Sequence, residues 1–127
     1  MAAEPFTLSA SVELPPDDGQ PNSTLDFSFA GTFVQKTSHK LNITGAGTHV
    51  VGFGTIVSPG CKAIFLEYPN LASGLATLNL RLNGGVTDVE VAPGGCFFYC
   101  NPTPSAGITA LSIVTTAAAM VRVTLLS

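Results

Sequence analysis

Residues 77 to 91 read TLNLRLNGGVTDVEV, and this stretch constrains the fold more than any other. Leu78, Leu80 and Leu82 alternate with Asn79 and Arg81, and Val89 and Val91 alternate with Asp88 and Glu90. Asn83-Gly84-Gly85 separates the two runs. A period of two places all the apolar side chains on one face of a β-hairpin and the polar ones on the other. Such a hairpin cannot bury its own apolar face, so the rest of the chain must supply a cover.

Other segments repeat the pattern. FTLSASVEL sets Phe6, Leu8, Ala10, Val12 and Leu14 against Thr7, Ser9, Ser11 and Glu13, which predicts a half-buried strand. PPDDGQPNS, residues 15 to 23, is a loop by its prolines, aspartates and glycine. TLDFSFAGTFVQK puts Leu25, Phe27 and Phe29 on one face, with Gly31 as the expected site of a bulge before Phe33. KTSHK, 36 to 40, is read as a polar turn. Strands are expected over 41 to 44, 49 to 57 and 61 to 68, with turns at SPG (58 to 60) and PNLASG (69 to 74). CFFYC, NPTPSAG and VRVTLLS give a strand, a loop and a closing strand. In ITALSIVTTAAAM the alanines favour helix and the Thr, Ile and Val favour strand, and a strand is expected over 108 to 114.

The sum is an all-β chain of about eight or nine strands. The turn spacing is that of a β-sandwich or barrel, and a single antiparallel β-sandwich domain, with residues 1–5 as a flexible N-terminal arm, is the expected form for 127 residues. A second sheet of the same domain is the expected cover for the leucines of the 78–91 hairpin.

Several function classes lose ground on composition. Only 10% of residues are charged, against about 25% in ordinary soluble domains. The formal net charge is −3, and Lys36, Lys40, Lys62, Arg81 and Arg122 are dispersed. Phosphate binding asks for clustered cations, so no direct nucleic-acid binding is expected. The start MAAEPFTLSA has neither a basic nor an apolar signal region, so no secretion signal is read. The apolar run from Ala106 to Val121 is short for a span and holds four hydroxyl side chains. Aromatic girdles of an outer-membrane barrel are missing, since there are two Tyr and no Trp. No membrane association is expected.

Chemical motifs are sparse. GAGTHV, at 45 to 50, lacks the third glycine and the following helix of a dinucleotide fingerprint. His39 and His49 are the only histidines, ten positions apart, and no G-x-S-x-G elbow occurs. His39 is read as solvated in its turn, and His49 as the start of a strand. Asp88 and Glu90 share one strand face about 7 Å apart, a spacing that paired carboxylates could use, but a solvated face is the simpler reading. Cys61, Cys96 and Cys100 are an odd set. The ends of CFFYC would lie about 13 Å apart in a strand, beyond the roughly 7 Å reach of a disulfide. Reduced, buried thiols are expected. The chain is accordingly read as no enzyme, with no cofactor and no metal site. Low charge together with abundant Thr, Ser, Asn and Gly instead suggests surface hidden against partners, and homo-oligomerisation is expected.

In order and hydropathy, the segments CKAIFLEYPN, LNLRLNGGVTDVEVAPGGCFFYCN, ITALSIVT and VRVTLLS resemble small β-sandwich proteins of tailed-bacteriophage virions. The resemblance covers residues 61 to 127 and carries no catalytic motif. It implies a jelly-roll-like fold and a structural role, as a capsid decoration or cement protein or as a neck or tail fitting. The implied partners are the major capsid protein or other virion proteins. The implied location is the virion, assembled in the host cytoplasm. Two loops are candidates for partner contact, at Pro15, Pro16, Asp17, Asp18 and Pro21, and at Asn101, Pro102 and Pro104. Proline holds such loops in shape and lowers the entropy cost of docking. A carbohydrate- or receptor-binding β-sandwich is the other reading, and Tyr68, Phe98 and Tyr99 are its candidate aromatic contacts.

Overall fold

A computed structural model describes residues 2–16, 23–56, 60–69, 76–86 and 88–127. Ten strands form, all antiparallel, and no helix appears among the described residues. They are β1 (Glu4–Leu14), β2 (Ser23–Phe33), β3 (Lys36–Ile43), β4 (Gly47–Val50), β5 (Ala63–Glu67), β6 (Leu78–Leu82), β7 (Asp88–Val91), β8 (Cys96–Cys100), β9 (Leu111–Thr115) and β10 (Ala119–Leu126). Strands β1 and β2 form a two-stranded sheet of their own. The others make two four-stranded sheets, ordered β3-β10-β5-β8 and β4-β9-β6-β7.

The pairing is nested. Strand β6 pairs with β7, β5 with β8, β4 with β9 and β3 with β10. The eight strands are thus one long antiparallel ribbon whose tip is the turn after Leu82. Further pairings of β5 with β10 and of β6 with β9 close the rolled ribbon laterally. Successive levels of the ribbon alternate between the two sheets, and the inward faces of both sheets share one apolar cluster. Leu78 and Leu80 of the hairpin lie fully buried in it beside Ile64, Leu66, Val121 and Val123 of the opposite sheet. The expected cover is therefore present.

The tip is fastened by Asn83, whose φ of 54° lies in the left-handed region that Asn tolerates better than other non-glycine residues. Its Oδ1 accepts from the Thr109 N–H at 2.8 Å and the Ala110 N–H at 3.2 Å, and its Nδ2 donates to the Gly107 carbonyl at 3.2 Å. Its backbone N–H donates to the Ala110 carbonyl at 2.9 Å. One side chain ties the tip of the ribbon to the approach of β9, twenty-odd residues later.

Four local expectations change. The segment KTSHK is the first part of β3 and not a turn. Its outward Lys36, Ser38 and Lys40 gave it a loop-like composition, as befits an edge strand whose charges discourage unwanted pairing. The strand expected over 49 to 57 is confined to β4, and Val51 to Ile56 carry no regular structure. Gly31 marks no bulge, because the register Phe6↔Gly31, Leu8↔Phe29 runs unbroken through it. Its missing side chain makes room: a Cβ there would stand 2.9 Å from the Phe6 ring. The strand of FTLSASVEL is half-buried only in its first part, at Phe6, Leu8 and Ala10, while Val12 and Leu14 are exposed. Of residues 1–5, Glu4 and Pro5 open β1, while Met1 lies outside the described residues. Also outside them are Asp17, Asp18 and Pro21 of the first loop, Ser58 and Pro59 of the SPG turn, and 70 to 74 of PNLASG.

Replacing Asn83 tests the fastening. Asn83→Ala removes its side-chain hydrogen bonds, each with a net worth of about 1 kcal/mol, and forces a β-carbon without polar compensation into the left-handed region. Urea unfolding should show a loss of about 2–4 kcal/mol. Asn83→Gly keeps the backbone conformation and should lose about 1 kcal/mol less than Asn83→Ala. Equal stability of both variants and the parent would contradict the role given to this residue.

Candidate interaction surface

Among the described residues, the β1–β2 hairpin carries the largest group of exposed apolar side chains, Val12, Leu14, Leu25, Phe27 and Phe29. Its register pairs Leu8 with Phe29, Ala10 with Phe27 and Val12 with Leu25, so both strands turn their apolar residues to the same side. Leu25, Phe27 and Phe29 are 47%, 43% and 39% exposed, so that side faces solvent. The opposite side carries hydroxyls and carboxylates, among them Ser11, whose Oγ donates to Asp26 Oδ1 at 2.7 Å. At eleven residues per strand, the arm reaches about 36 Å. An isolated two-stranded ribbon is at best marginally stable in water.

Among the described residues, the arm is fixed to the body at its base. Within the arm, at this base, the Phe6 and Phe33 rings lie with centroids 6.3 Å apart. The Lys62 ammonium donates to the Thr32 carbonyl at 2.8 Å. The backbone N–H groups of Val34 and Gln35 both donate to the Ser127 carbonyl. Pro102 also belongs to this base, with its Cβ 3.3 Å from where a Gly31 side chain would begin.

This geometry places the candidate loop residues. Pro15 and Pro16 are exposed beyond the far end of β1. Asn101, Pro102 and Pro104 are half-buried at the base, where the Asn101 N–H donates to the Lys62 carbonyl at 2.7 Å. The two groups are not brought together, since roughly 30 Å of arm separates them.

A second exposed surface lies on the outward face of the β3-β10-β5-β8 sheet. Register places Ser38, Thr124, Phe65 and Phe98 in one row across it, and Lys40, Arg122, Glu67 and Cys96 in the next. Phe65 and Phe98 are exposed, with ring centroids 6.4 Å apart. Lys36, Lys40 and Arg122 stand exposed on the same face. Sequence reading missed this surface because KTSHK reads as a turn and Arg122, more than eighty residues from Lys40, becomes its neighbour only through the β3↔β10 register. Two strands of equal length and matched apolar alternation, 4 to 14 and 23 to 33, were the available signal for the arm. Alternation alone does not say whether the cover comes from the same molecule.

The remaining candidate groups are engaged in the fold. The His39 ring N–H donates to the Gly52 carbonyl at 2.6 Å and the His49 ring N–H to the Gly45 carbonyl at 3.2 Å. His39 is half-buried in β3 and not solvated in a turn. Asp88 accepts from Arg81 Nε at 2.7 Å, and this hydrogen bond and charge raise the guanidinium pKa further. No group of three or more His, Cys, Asp and Glu that could hold a metal occurs among the described residues. Among those residues no helix is long and apolar enough to cross a membrane. Tyr68 cannot serve as an aromatic platform, because it is fully buried and its hydroxyl donates to the Ala76 carbonyl at 2.7 Å. Phe97 and Tyr99 pack against the core and Phe98 faces out.

All three cysteines are free, with Cys61 buried, Cys100 half-buried and Cys96 exposed, so full burial holds for Cys61 alone. Comparison of the chain with protein-family models, with curated proteins and with solved structures finds no match.

Burial pushes the Cys61 thiol from 9.0 up to about 11. The folded chain holds this proton through a pH range in which the unfolded chain releases it. Cys61 therefore contributes stability below about pH 9 that is lost as pH rises toward 11. The fall in unfolding free energy between pH 9 and 11 should be shallower in Cys61→Ala than in the parent chain. A thiol reagent at pH 8 should label Cys96 rapidly and Cys61 only after denaturation. Fast labelling of Cys61 in the native protein would contradict its burial.

Proposed function

We propose that this protein is an assembly subunit of a virion, a jelly-roll capsid decoration or cement protein that stabilises a phage head through subunit contacts. The strand order supports the jelly roll: an eight-stranded ribbon paired in nested fashion and divided between two sheets is the arrangement of that class, whose members include viral capsid and lectin domains and cupins. A fold of this kind serves many functions, so the choice among them depends on surfaces. The observation that carries the assembly reading is the arm, eleven residues per strand with one apolar side bare. Exposed apolar side chains gathered on one surface mark an interaction site. The low charge content agrees, since a subunit that spends its life in contact needs less charged surface than a free monomer. The pattern shared by residues 61 to 127 with small virion β-sandwich proteins points the same way. In this reading the partners are the major capsid protein, other virion proteins and further copies of this chain. The exposed Pro15 and Pro16 belong to the contact surface.

A carbohydrate- or receptor-binding module is the second reading, and the exposed Phe65–Phe98 pair favours it. Sugar rings stack on such faces. Its aromatic set is Phe65 and Phe98 in place of Tyr68.

Gradient sedimentation of native source material, with this chain detected by mass spectrometry, tests the first reading. The chain should travel with particles far larger than its own 13.0 kDa. A high, regular copy number per particle indicates decoration, and a low one a neck or tail fitting. A chain that remains at the top of the gradient contradicts the particle role, and hits on a glycan array would then support the second reading.

A further inference from the structure

We infer that the apolar side of the β1–β2 arm docks on the outward face of the β3-β10-β5-β8 sheet of a second copy of this chain. The two surfaces are complementary in apolar character. The arm offers the exposed Val12, Leu14, Leu25, Phe27 and Phe29. The sheet offers the Phe65–Phe98 row, bordered by Leu126 and Cys100 in the neighbouring row.

They are also complementary in charge. Residues 1 to 33 contain five carboxylates and no Lys or Arg, whereas residues 34 to 127 hold all five cations against three carboxylates. Three of those cations, Lys36, Lys40 and Arg122, lie on the outward face of this one sheet, with Glu67 as its carboxylate. Glu4 lies on the same side of the arm as Phe6 and Leu8. Glu13 and Asp26 lie on the other side, across a ribbon thin enough for their field to be felt within a Debye length of about 10 Å.

Dimensions permit the contact. Four strands span about 14 Å between the outer strand axes, so an arm of about 36 Å crosses the whole sheet. The crossed width is about 20 Å with the edge strands included, so a ribbon about 10 Å wide covers roughly 200 Å² of it. Each copy gives one arm and receives one, so each buries about 400 Å², the size of a small, weak contact. The described part of the arm's own body does not provide this cover at Val12, Leu14, Leu25, Phe27 and Phe29, which stay exposed.

This inference is independent of the particle role: a chain that fails to sediment with particles can still exchange arms, and the two failures are separately visible. Sedimentation velocity of the full-length chain and two full-length variants tests it. Phe27→Thr with Phe29→Thr removes the apolar side of the arm while keeping good strand formers. Lys40→Glu with Phe98→Asp alters the receiving sheet, and Lys40→Glu with Arg122→Glu repeats the test without touching an aromatic residue. The parent should self-associate at tens of micromolar, and 0.5 M NaCl should weaken it. Each variant alone should sediment as a monomer, with association weakened at least tenfold. An equimolar mixture of arm variant and sheet variant should form a heterodimer, because one supplies the intact sheet and the other the intact arm. Three results would overturn the inference: a parent chain that is monomeric at 100 µM, a sheet variant that associates as the parent does (arm meeting arm), or a mixture that remains monomeric while both variants keep the far-ultraviolet dichroism of the parent.

Discussion

The body of this protein depends on antiparallel pairing between residues far apart in sequence, organised around a single turn. Asn83 holds the tip of the ribbon and at the same time binds Gly107, Thr109 and Ala110 at the entrance to β9. Pairing outward from that tip joins β6 to β7, then β5 to β8, β4 to β9 and finally β3 to β10, whose partners Lys36 and Leu126 stand ninety residues apart. Each level depends on the one inside it. Such non-local contacts carry a heavy loop-closure cost and form slowly, so a well-defined tip matters for folding as well as for stability. Once rolled, the ribbon buries its inward rows completely, and Leu80, Ile113, Val121 and Leu125 lose all contact with water.

The arm obeys the same pairing rule with a different result. Its register is unbroken over eleven residue pairs, and its apolar residues share one side as cleanly as those of the body do. Yet among the described residues its outer part, at Val12, Leu14, Leu25, Phe27 and Phe29, is exposed. The ribbon of the body rolls onto itself because alternate levels enter opposite sheets. The arm has one level and cannot roll. Lys62 and the C-terminal Ser127 after β10 fix its base, with Pro102 close to Gly31. An apolar ribbon of this kind gains its stability from whatever it meets, which ties this region's folding to assembly.

Alternation made much of this legible. The strand character of β1, β2, β6, β7, β8 and β10 and the loop at 101 to 107 follow from period-two patterns and from Gly, Pro and Asn clusters. Leu78 and Leu80 faced inward as the pattern required. Other features depend on tertiary neighbours and left no local mark. KTSHK is strand because β10 pairs with it, although its composition is that of a turn. Gly31 accommodates the Phe6 ring, a cross-strand contact that a list of glycines cannot distinguish from a bulge. Tyr68 and Phe98 are both strand-region aromatics, and only the positions of the surrounding strands make one buried and the other exposed. Lys36, Lys40 and Arg122 form a surface through register, which dispersed positions in a sequence do not reveal.

The central claim is that the rolled ribbon is self-sufficient and the arm is completed from outside. Amide hydrogen exchange, followed by mass spectrometry over a series of protein concentrations, tests it most directly, because protection reports local opening strand by strand. Peptides from β5, β6, β9 and β10 should be strongly protected at every concentration, while those from β1 and β2 should exchange quickly in dilute solution and become protected as concentration rises. Full protection of β1 and β2 at the lowest concentration, or protection of the body that rises and falls together with that of the arm, would contradict the account.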